Sequence, residues 1–336
     1  MNNIENKAIA NQIAFESYKT MKASKMLNVL EASNKDIIRF IKSTSDVATK
    51  KRYTEIARKL RDVAKSLKEK AVEEIDVDGT IEYELGRQKS LLSSVAANLN
   101  KYGNLKVDFL YPNLEQIKTA ALFRPAANIT YETFLEGIES GLYRTWDSAV
   151  RTGYLTGMTT KEIVSSVMGK VNKLSKVREL GAIKPLYNSI YANTRTLLQS
   201  FATETRNRIY QENEEFFGHN GYKYKYLATL DSRTCLVCGE DDGKLFKSLS
   251  DCPQTPRHRG CRCIIIPYFN YEGERASVDG PVSNKVTYKD WLGEQSANVQ
   301  RRILGPGKYA LYEKGMSIGD FVENGTVLNL DELSKK

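Results

Sequence analysis

Thr234-Cys235-Leu-Val-Cys238 and, after nineteen intervening residues, His258-Arg-Gly-Cys261-Arg262-Cys263-Ile-Ile-Ile266 decide how the rest of this chain is read. Two knuckles of soft donors separated by a loop of about 15 to 20 residues are the spacing of a structural zinc site, in which four deprotonated ligands close a tetrahedron. All five cysteines fall within the 29 residues from Cys235 to Cys263 of a 336-residue chain. Cys235, Cys238, His258 and Cys261 form the closest parallel to such a site. Cys263 competes for the fourth position, because two residues along a strand bring its side chain to the same face as that of Cys261. Cys252, followed by Pro253, reads as a spare thiol. The expected cofactor is therefore one Zn2+, held by four of the five residues Cys235, Cys238, His258, Cys261 and Cys263. A site closed by four protein ligands leaves no position for a reactive water, so the metal is expected to fold the segment.

The flanks of this cluster are strands. Tyr222 to Leu230 alternates, and Cys263 to Tyr268 is a β-branched run. Upstream of residue 220 the pattern is helical. From Lys50 to Val72 the positions Ile56, Leu60, Val63, Leu67 and Ala71 recur at steps of three and four. The remaining face carries Lys51, Arg52, Arg58, Lys59, Arg61, Lys65, Lys68 and Lys70, an amphipathic basic helix that suits nucleic acid, an anionic surface or plain solvent. Further helices are predicted over about 81–99, over 133–153 with Phe134, Ile138, Leu142, Trp146 and Val150 on one stripe, and from Leu186 to about Asn213. Thr159 and Glu162 form a capping box at the start of a short helix. A short strand is expected at 106–110. The fold class is mainly α with a small zinc-stapled β-containing module (α+β) near the C-terminus. Expected boundaries give a helical, basic segment 1–130, a helical segment 131–220, the zinc-binding β module 221–284 and short C-terminal helices over 285–336. In that last segment Asp290-Trp291-Leu292, Val299, Ile303 and Leu304 should pack on the module, with a bend at Gly305-Pro306-Gly307.

Composition narrows the function classes. Hydrophobic residues make up 41% and charged residues 27%, the balance of a folded globular chain. No apolar run reaches the ~18 residues of a membrane helix, and no basic stretch leads into an apolar segment at the N-terminus, so neither a membrane partner nor a cleaved secretory signal is expected. Five cysteines are too few and too clustered for a disulfide scaffold, which points to a reducing compartment. The net charge is +9. Residues 1–130 hold 22 basic against 16 acidic residues, whereas residues 231–336 hold 15 of each, so the surplus lies away from the cysteines. Such a bias suits phosphate or an acidic protein surface. Only His219 and His258 are available for acid-base work, and neither a phosphate-binding loop nor a nucleophile elbow is present. His-x-Glu and Pro-Cys-x-x-Cys, the zinc deaminase pattern, are missing too.

The ordered set Thr229-x-Asp231-x-Arg233-Thr234-Cys235-x-x-Cys238, Asp242-Gly243, and Pro256-x-His258-x-x-Cys261-Arg262-Cys263 resembles the signature of the phage Mu F-like head morphogenesis family. The resemblance covers about residues 131–322 and is most specific in the cysteine segment. Two departures are Arg259, where relatives often carry proline, and the additional Cys252. The resemblance implies a minor head (capsid) protein of a tailed bacteriophage, assembled in the host cytoplasm and placed in the virion, in the head interior near the portal. It implies portal protein and other head components as partners, with double-stranded DNA as a further one during genome ejection. No catalytic residue is expected. Asp231 and Arg233 are expected to brace the first knuckle, and Arg262 to hold the strand register. The competing reading is a metal-dependent nuclease or processing enzyme of phage assembly, with His258 or Asp242 in the reaction.

Overall fold

The computed structural model describes residues 4–44, 50–103, 107–171, 178–270 and 272–335. In chain order its elements are helices α1 (Ile4–Ser43), α2 (Lys50–Ile75), α3 (Val77–Gly103), α4 (Leu114–Phe123), α5 (Tyr131–Thr156) and α6 (Thr160–Met168), a two-residue ladder β1 (Lys170–Val171) with β2 (Arg178–Glu179), and helix α7 (Lys184–Glu212). There follow β3 (Tyr224–Leu227), α8 (Leu236–Asp241), β4 (Leu245–Phe246), β5 (Ile264–Pro267) and the hairpin β6 (Glu274–Ser277) with β7 (Gly280–Ser283). The chain continues through α9 (Tyr288–Gly293), α10 (Ala297–Glu313), a short ladder β8 (Val322–Glu323) with β9 (Thr326–Val327), and α11 (Leu330–Leu333). The protein is mainly helical, with small antiparallel sheets concentrated towards the C-terminus.

Two compact units alternate along the sequence. One comprises Met1–Glu16, Ile81–Ala121 and Ala202–Lys336, the other Ser17–Thr80 and Leu122–Phe201. This grouping cuts across segments 1–130 and 131–220 and gathers 221–284 and 285–336 together. Helices α1, α3 and α7 each contribute residues to both units, which a division by sequence position does not capture.

In the second unit α2 lies against α5. The apolar stripe Ile56, Leu60, Val63, Leu67 and Ala71 is buried along its length, as is its counterpart Phe134, Ile138, Leu142, Trp146 and Val150. Burial of the Trp146 ring leaves its N–H to be satisfied, and Nε1 donates to Asn34 Oδ1 at 2.8 Å. Tyr53 Oη donates to Asp147 Oδ1 at 2.6 Å. Thr159 and Glu162 form the expected box: Thr159 Oγ1 accepts from the Glu162 amide at 3.3 Å, and Glu162 Oε2 accepts from the Thr159 amide at 2.8 Å. Arg58, Arg61, Lys65 and Lys70 are exposed, as an amphipathic basic helix requires. Arg52 departs from that face. It is buried, and its Nε and Nη2 donate to Thr44 Oγ1 at 3.1 and 2.9 Å, so its positive charge meets the C-terminal end of α1, where a helix welcomes a cation. The side chain of Lys51 lies outside the described residues.

The first unit is built on the three-stranded sheet β4-β3-β5. Tyr224 pairs with both Phe246 and Pro267, and Leu227 with Ile264, all antiparallel. One core cluster joins this sheet to the first turns of α1 through Ile4, Ala8 and Ile9, to α3 through Leu91, Leu92 and Val95, and to the end of α7 through Ile209 and Tyr210. A second joins Leu230 and Leu236 to Tyr288, Trp291, Leu292 and Leu304, with Ile303 packed against it; Val299, expected in the same contact, is not part of it. Gly305, at φ 75°, breaks the run of α10 where the bend was expected. The strand expected at 106–110 does not form. Lys106 lies outside the described residues, and residues 107–113 are irregular; the Asn213 side chain takes the place of a strand partner at Leu110, accepting from its amide at 2.7 Å and donating to its carbonyl at 2.8 Å.

A single ion pair ties these parts together. Arg275 on β6 and Asp242 at the end of α8 are both fully buried, with Nη1 donating to Oδ2 at 2.9 Å and Nη2 to Oδ1 at 3.1 Å. Arg275 also donates to the carbonyls of Ala228 and Val286, at 2.6 and 3.0 Å. Asp242 in turn accepts from the amides of Ala228 and Tyr288, at 2.8 and 2.7 Å. Removing one member of such a pair leaves an uncompensated charge in the interior. Arg275→Met is expected to lower the unfolding free energy by about 3–5 kcal/mol. Urea denaturation checks this, and a loss under about 1 kcal/mol would show that the pair does not hold the unit.

Candidate metal centre

The first knuckle is shaped by short-range hydrogen bonds that follow β3. Asp231 Oδ1 accepts from the Arg233 amide at 2.9 Å, and Thr234 Oγ1 donates to the Thr229 carbonyl at 2.5 Å, turning the chain back towards the sheet. Cys235 then serves as the N-cap of α8, its sulfur accepting from the Cys238 amide at 3.5 Å. Both thiols therefore sit at the first turn of α8. Gly239 follows because there is no room for a side chain: a Cβ there would lie 2.2 Å from Cδ1 of the buried Tyr288 ring.

The second knuckle closes on the first. The Cys261 amide donates to the His258 carbonyl at 3.1 Å, bringing both side chains round one tight turn. Cys263 immediately precedes β5, whose Ile264 pairs with Leu227. Arg262 fixes this register from outside the sheet, making a bidentate pair with Asp231 through Nη1 to Oδ2 at 2.5 Å and Nη2 to Oδ1 at 2.7 Å. Burial alone would favour the neutral acid, and the Arg262 guanidinium outweighs it, holding Asp231 below the usual carboxylate range. Arg233, in contrast, is exposed, 3.8 Å from Asp231; it is the Arg233 amide that braces the knuckle.

All five predicted residues come together, in two overlapping groups that share Cys238. Cys235, Cys238 and His258 have donor atoms within 4.8 Å of one another, and so have Cys238, Cys261 and Cys263. His258 Nε2 faces Cys235 Sγ at 3.3 Å and Cys238 Sγ at 3.5 Å. Its other nitrogen, Nδ1, lies 2.9 Å from the Arg259 carbonyl. A proton on Nδ1 satisfies that carbonyl and leaves the Nε2 lone pair aimed at the thiols, the orientation a metal-ligating histidine needs. Cys252 stands apart. Its thiol donates to the Ser248 carbonyl at 3.5 Å, burial pushes it up to about 12, and it belongs to neither group. His219 is elsewhere too, 3.2 Å from Asn270.

The electrostatics of the cluster suit a cation. Hydrogen bonding to Cys238, and then to His258, draws the Cys235 thiol down to about 4. The same contact with Cys235, joined by those to Cys261 and Cys263, drives the Cys238 thiol far up. Contact with Cys235 raises His258 to about 9. Four thiols at this spacing cannot all ionise against one imidazolium, because each thiolate opposes the next in a poorly solvated site. A bound metal ion removes that conflict, since it lets several sulfurs be thiolates together. The donors are sulfur and imidazole nitrogen, Cys238, Cys261 and Cys263 are buried, and the set can hold a metal ion.

Tyr226, Arg257 and Arg275 complete the surroundings and were not predicted. The Tyr226 hydroxyl lies against Cys238 and Cys263, with burial as the main reason its proton is held tightly. Arg257 covers the Tyr226 ring at 5.6 Å and pairs with Asp241 at 2.5 Å. The alternation of Tyr222-Lys-Tyr-Lys-Tyr226 placed Tyr226 on one face of a strand, but nothing local marked Arg275, one arginine in a short hairpin. Compared with protein-family models, curated proteins and solved structures, the chain matches none.

Cobalt(II) added to reduced apo-protein is expected to bind at one equivalent and to give the intense near-ultraviolet band of thiolate-to-metal charge transfer. Binding should weaken as the pH falls, because the metal must displace protons from Cys238 and His258, both held above their ordinary values. Cys238→Ser, which removes the atom common to both groups, should abolish the band. Cobalt absorption without that band would exclude a thiolate site.

Proposed function

We propose that this protein is a non-enzymatic component of a tailed-bacteriophage head, a minor head protein that acts in head morphogenesis near the portal. What supports the reading is that the residues carrying the family resemblance serve one purpose. Cys235, Cys238, His258, Cys261 and Cys263 converge, Asp231 and Arg262 clamp the two knuckles together, and Asp242 anchors the end of α8 through Arg275. Each of these groups is engaged in holding the chain. Asp242, the acid the nuclease reading would use, is fully buried and has both oxygens committed to amides and a guanidinium.

Zinc is the ion that suits this site. It is redox-inert, accepts sulfur and nitrogen in a tetrahedron, and in structural sites takes four protein ligands with none open to solvent. Cys235, Cys238 and His258 supply three, and Cys261 or Cys263 the fourth. The chain's own contribution is to present these donors already oriented, through the Cys235 cap, the Arg259 carbonyl on His258 Nδ1 and the pairing of Leu227 with Ile264. The metal thereby acts as a staple between the sheet and α8. Portal protein and other head components are the partners in this reading, with DNA as a further one through the exposed Arg58, Arg61, Lys65 and Lys70 of α2. No helix among the described residues is long and apolar enough to cross a membrane.

Mass spectrometry of purified virions and of proheads from the same infection tests the proposal. The protein is expected in both, at a few copies per particle, and particles from a Cys238→Ser phage are expected to lack it. Absence from both wild-type particles would overturn the assembly role and bring forward a metal-dependent nuclease, to be assayed with a His258→Ala variant.

A further inference from the structure

Asn11, Arg87 and Arg206 bring three unanswered donors to one enclosed place. Asn11 Nδ2, Arg87 Nε and Arg206 Nη2 are buried and have no hydrogen-bond partner, and all three residues line the same cavity of about 10 Å3, between α1, α3 and α7 in the first unit. That is about the space of a single water-sized occupant, so a larger monatomic ion needs the lining side chains to give slightly. Arg206 is 4% exposed, so bulk solvent does not reach its guanidinium.

The charge balance of the cavity distinguishes the two occupants. Glu84, fully buried, is its one carboxylate, and it is already engaged: Oε1 takes Arg206 Nε at 3.0 Å and Gln88 Nε2 at 2.7 Å, while Oε2 takes Arg87 Nη1 at 2.8 Å. Two guanidiniums against one carboxylate leave a formal charge of +1. The amide oxygen of Gln88 is occupied as well, accepting from Tyr210 Oη at 2.9 Å. A water has two lone pairs and cannot accept from all three donors. A monatomic anion accepts from all three and donates nothing. It also offsets the mutual repulsion of the two guanidiniums, which adds to burial in lowering Arg87 below its ordinary value.

The geometry points to a buried halide site, occupied by chloride under cellular conditions and held by Asn11, Arg87 and Arg206. The ion neutralises the interior where the first turns of α1 meet α3 and α7, and so acts as a second inorganic staple of the unit, independent of the metal centre.

Bromide is the probe. Crystals of the full chain soaked in sodium bromide are expected to show an anomalous peak within hydrogen-bond reach of all three nitrogens. A non-anomalous water at that position, or no density, would overturn the assignment. In solution, replacing gluconate by chloride at constant ionic strength should raise Tm by about 2–4 °C. Asn11→Asp, which sets a carboxylate beside the two arginines in place of the ion, should abolish that dependence. Equal Tm values for the wild-type protein in the two salts would also refute the site.

Discussion

The carboxylate of Asp242 is the point on which the C-terminal unit turns. Its two oxygens collect the amide of Ala228 just past β3, a helix amide from Tyr288 and both terminal nitrogens of Arg275. Four separate pieces of chain are thus fixed at one buried spot: the end of β3, the end of α8, the middle of β6 and the first turn of α9. A charge so placed survives only because every acceptor site is used, and the same requirement dictates where each piece must lie. The position of α8 decides where Cys235 and Cys238 stand, so the geometry of the thiols follows from an ion pair that includes none of them.

Local features of the fold were legible in the sequence. The stripes on α2 and α5 were visible because a helix that buries one face repeats every three or four residues, and the Thr159–Glu162 box because its two partners are three residues apart. The knuckles were visible for a similar reason, since metal donors have to be presented in close pairs. Features that depend on partners far along the chain leave no local mark. Arg52 has the composition of a solvent-facing residue and lies instead against Thr44, and residues 106–110 have the look of a strand, but the Leu110 amide and carbonyl bond to the Asn213 side chain. Arg275 is the clearest case, because an arginine flanked by glutamate and alanine carries no mark of being wholly buried. The choice between Cys261 and Cys263 was left open by spacing, and it follows from the geometry that both lie beside Cys238.

Buried ion pairs recur through this unit. Asp242 with Arg275, Glu84 with Arg87 and Arg206, and Lys225 with Glu5 at 3.0 Å all place charge in the interior, where each ion loses its hydration and regains it from a fixed partner. Burial raises Glu5 above the ordinary carboxylate range, and Lys225 works against that rise. Apolar packing tolerates small slips, whereas a buried ion pair in the wrong register leaves a bare charge. Short strands of two to four residues have little register information of their own. Ion pairs and sulfur donors supply it here.

The ion pair between Glu5 and Lys225 spans 220 residues of sequence, and Ile4, Ala8 and Ile9 share a core with Cys238, Cys261 and Cys263. The segment around Glu5 can meet Leu91, Leu92 and Val95 early, but its contacts with Lys225 and the cysteines wait until those residues have been made. Contacts of such long separation form slowly, since the intervening loop must close before any of them is made. Until those contacts close, Cys238, Cys261 and Cys263 lack the burial they have in the folded unit. Early capture of an ion by the Cys235 and Cys238 pair, only three residues apart, would give the remaining chain a nucleus to close upon.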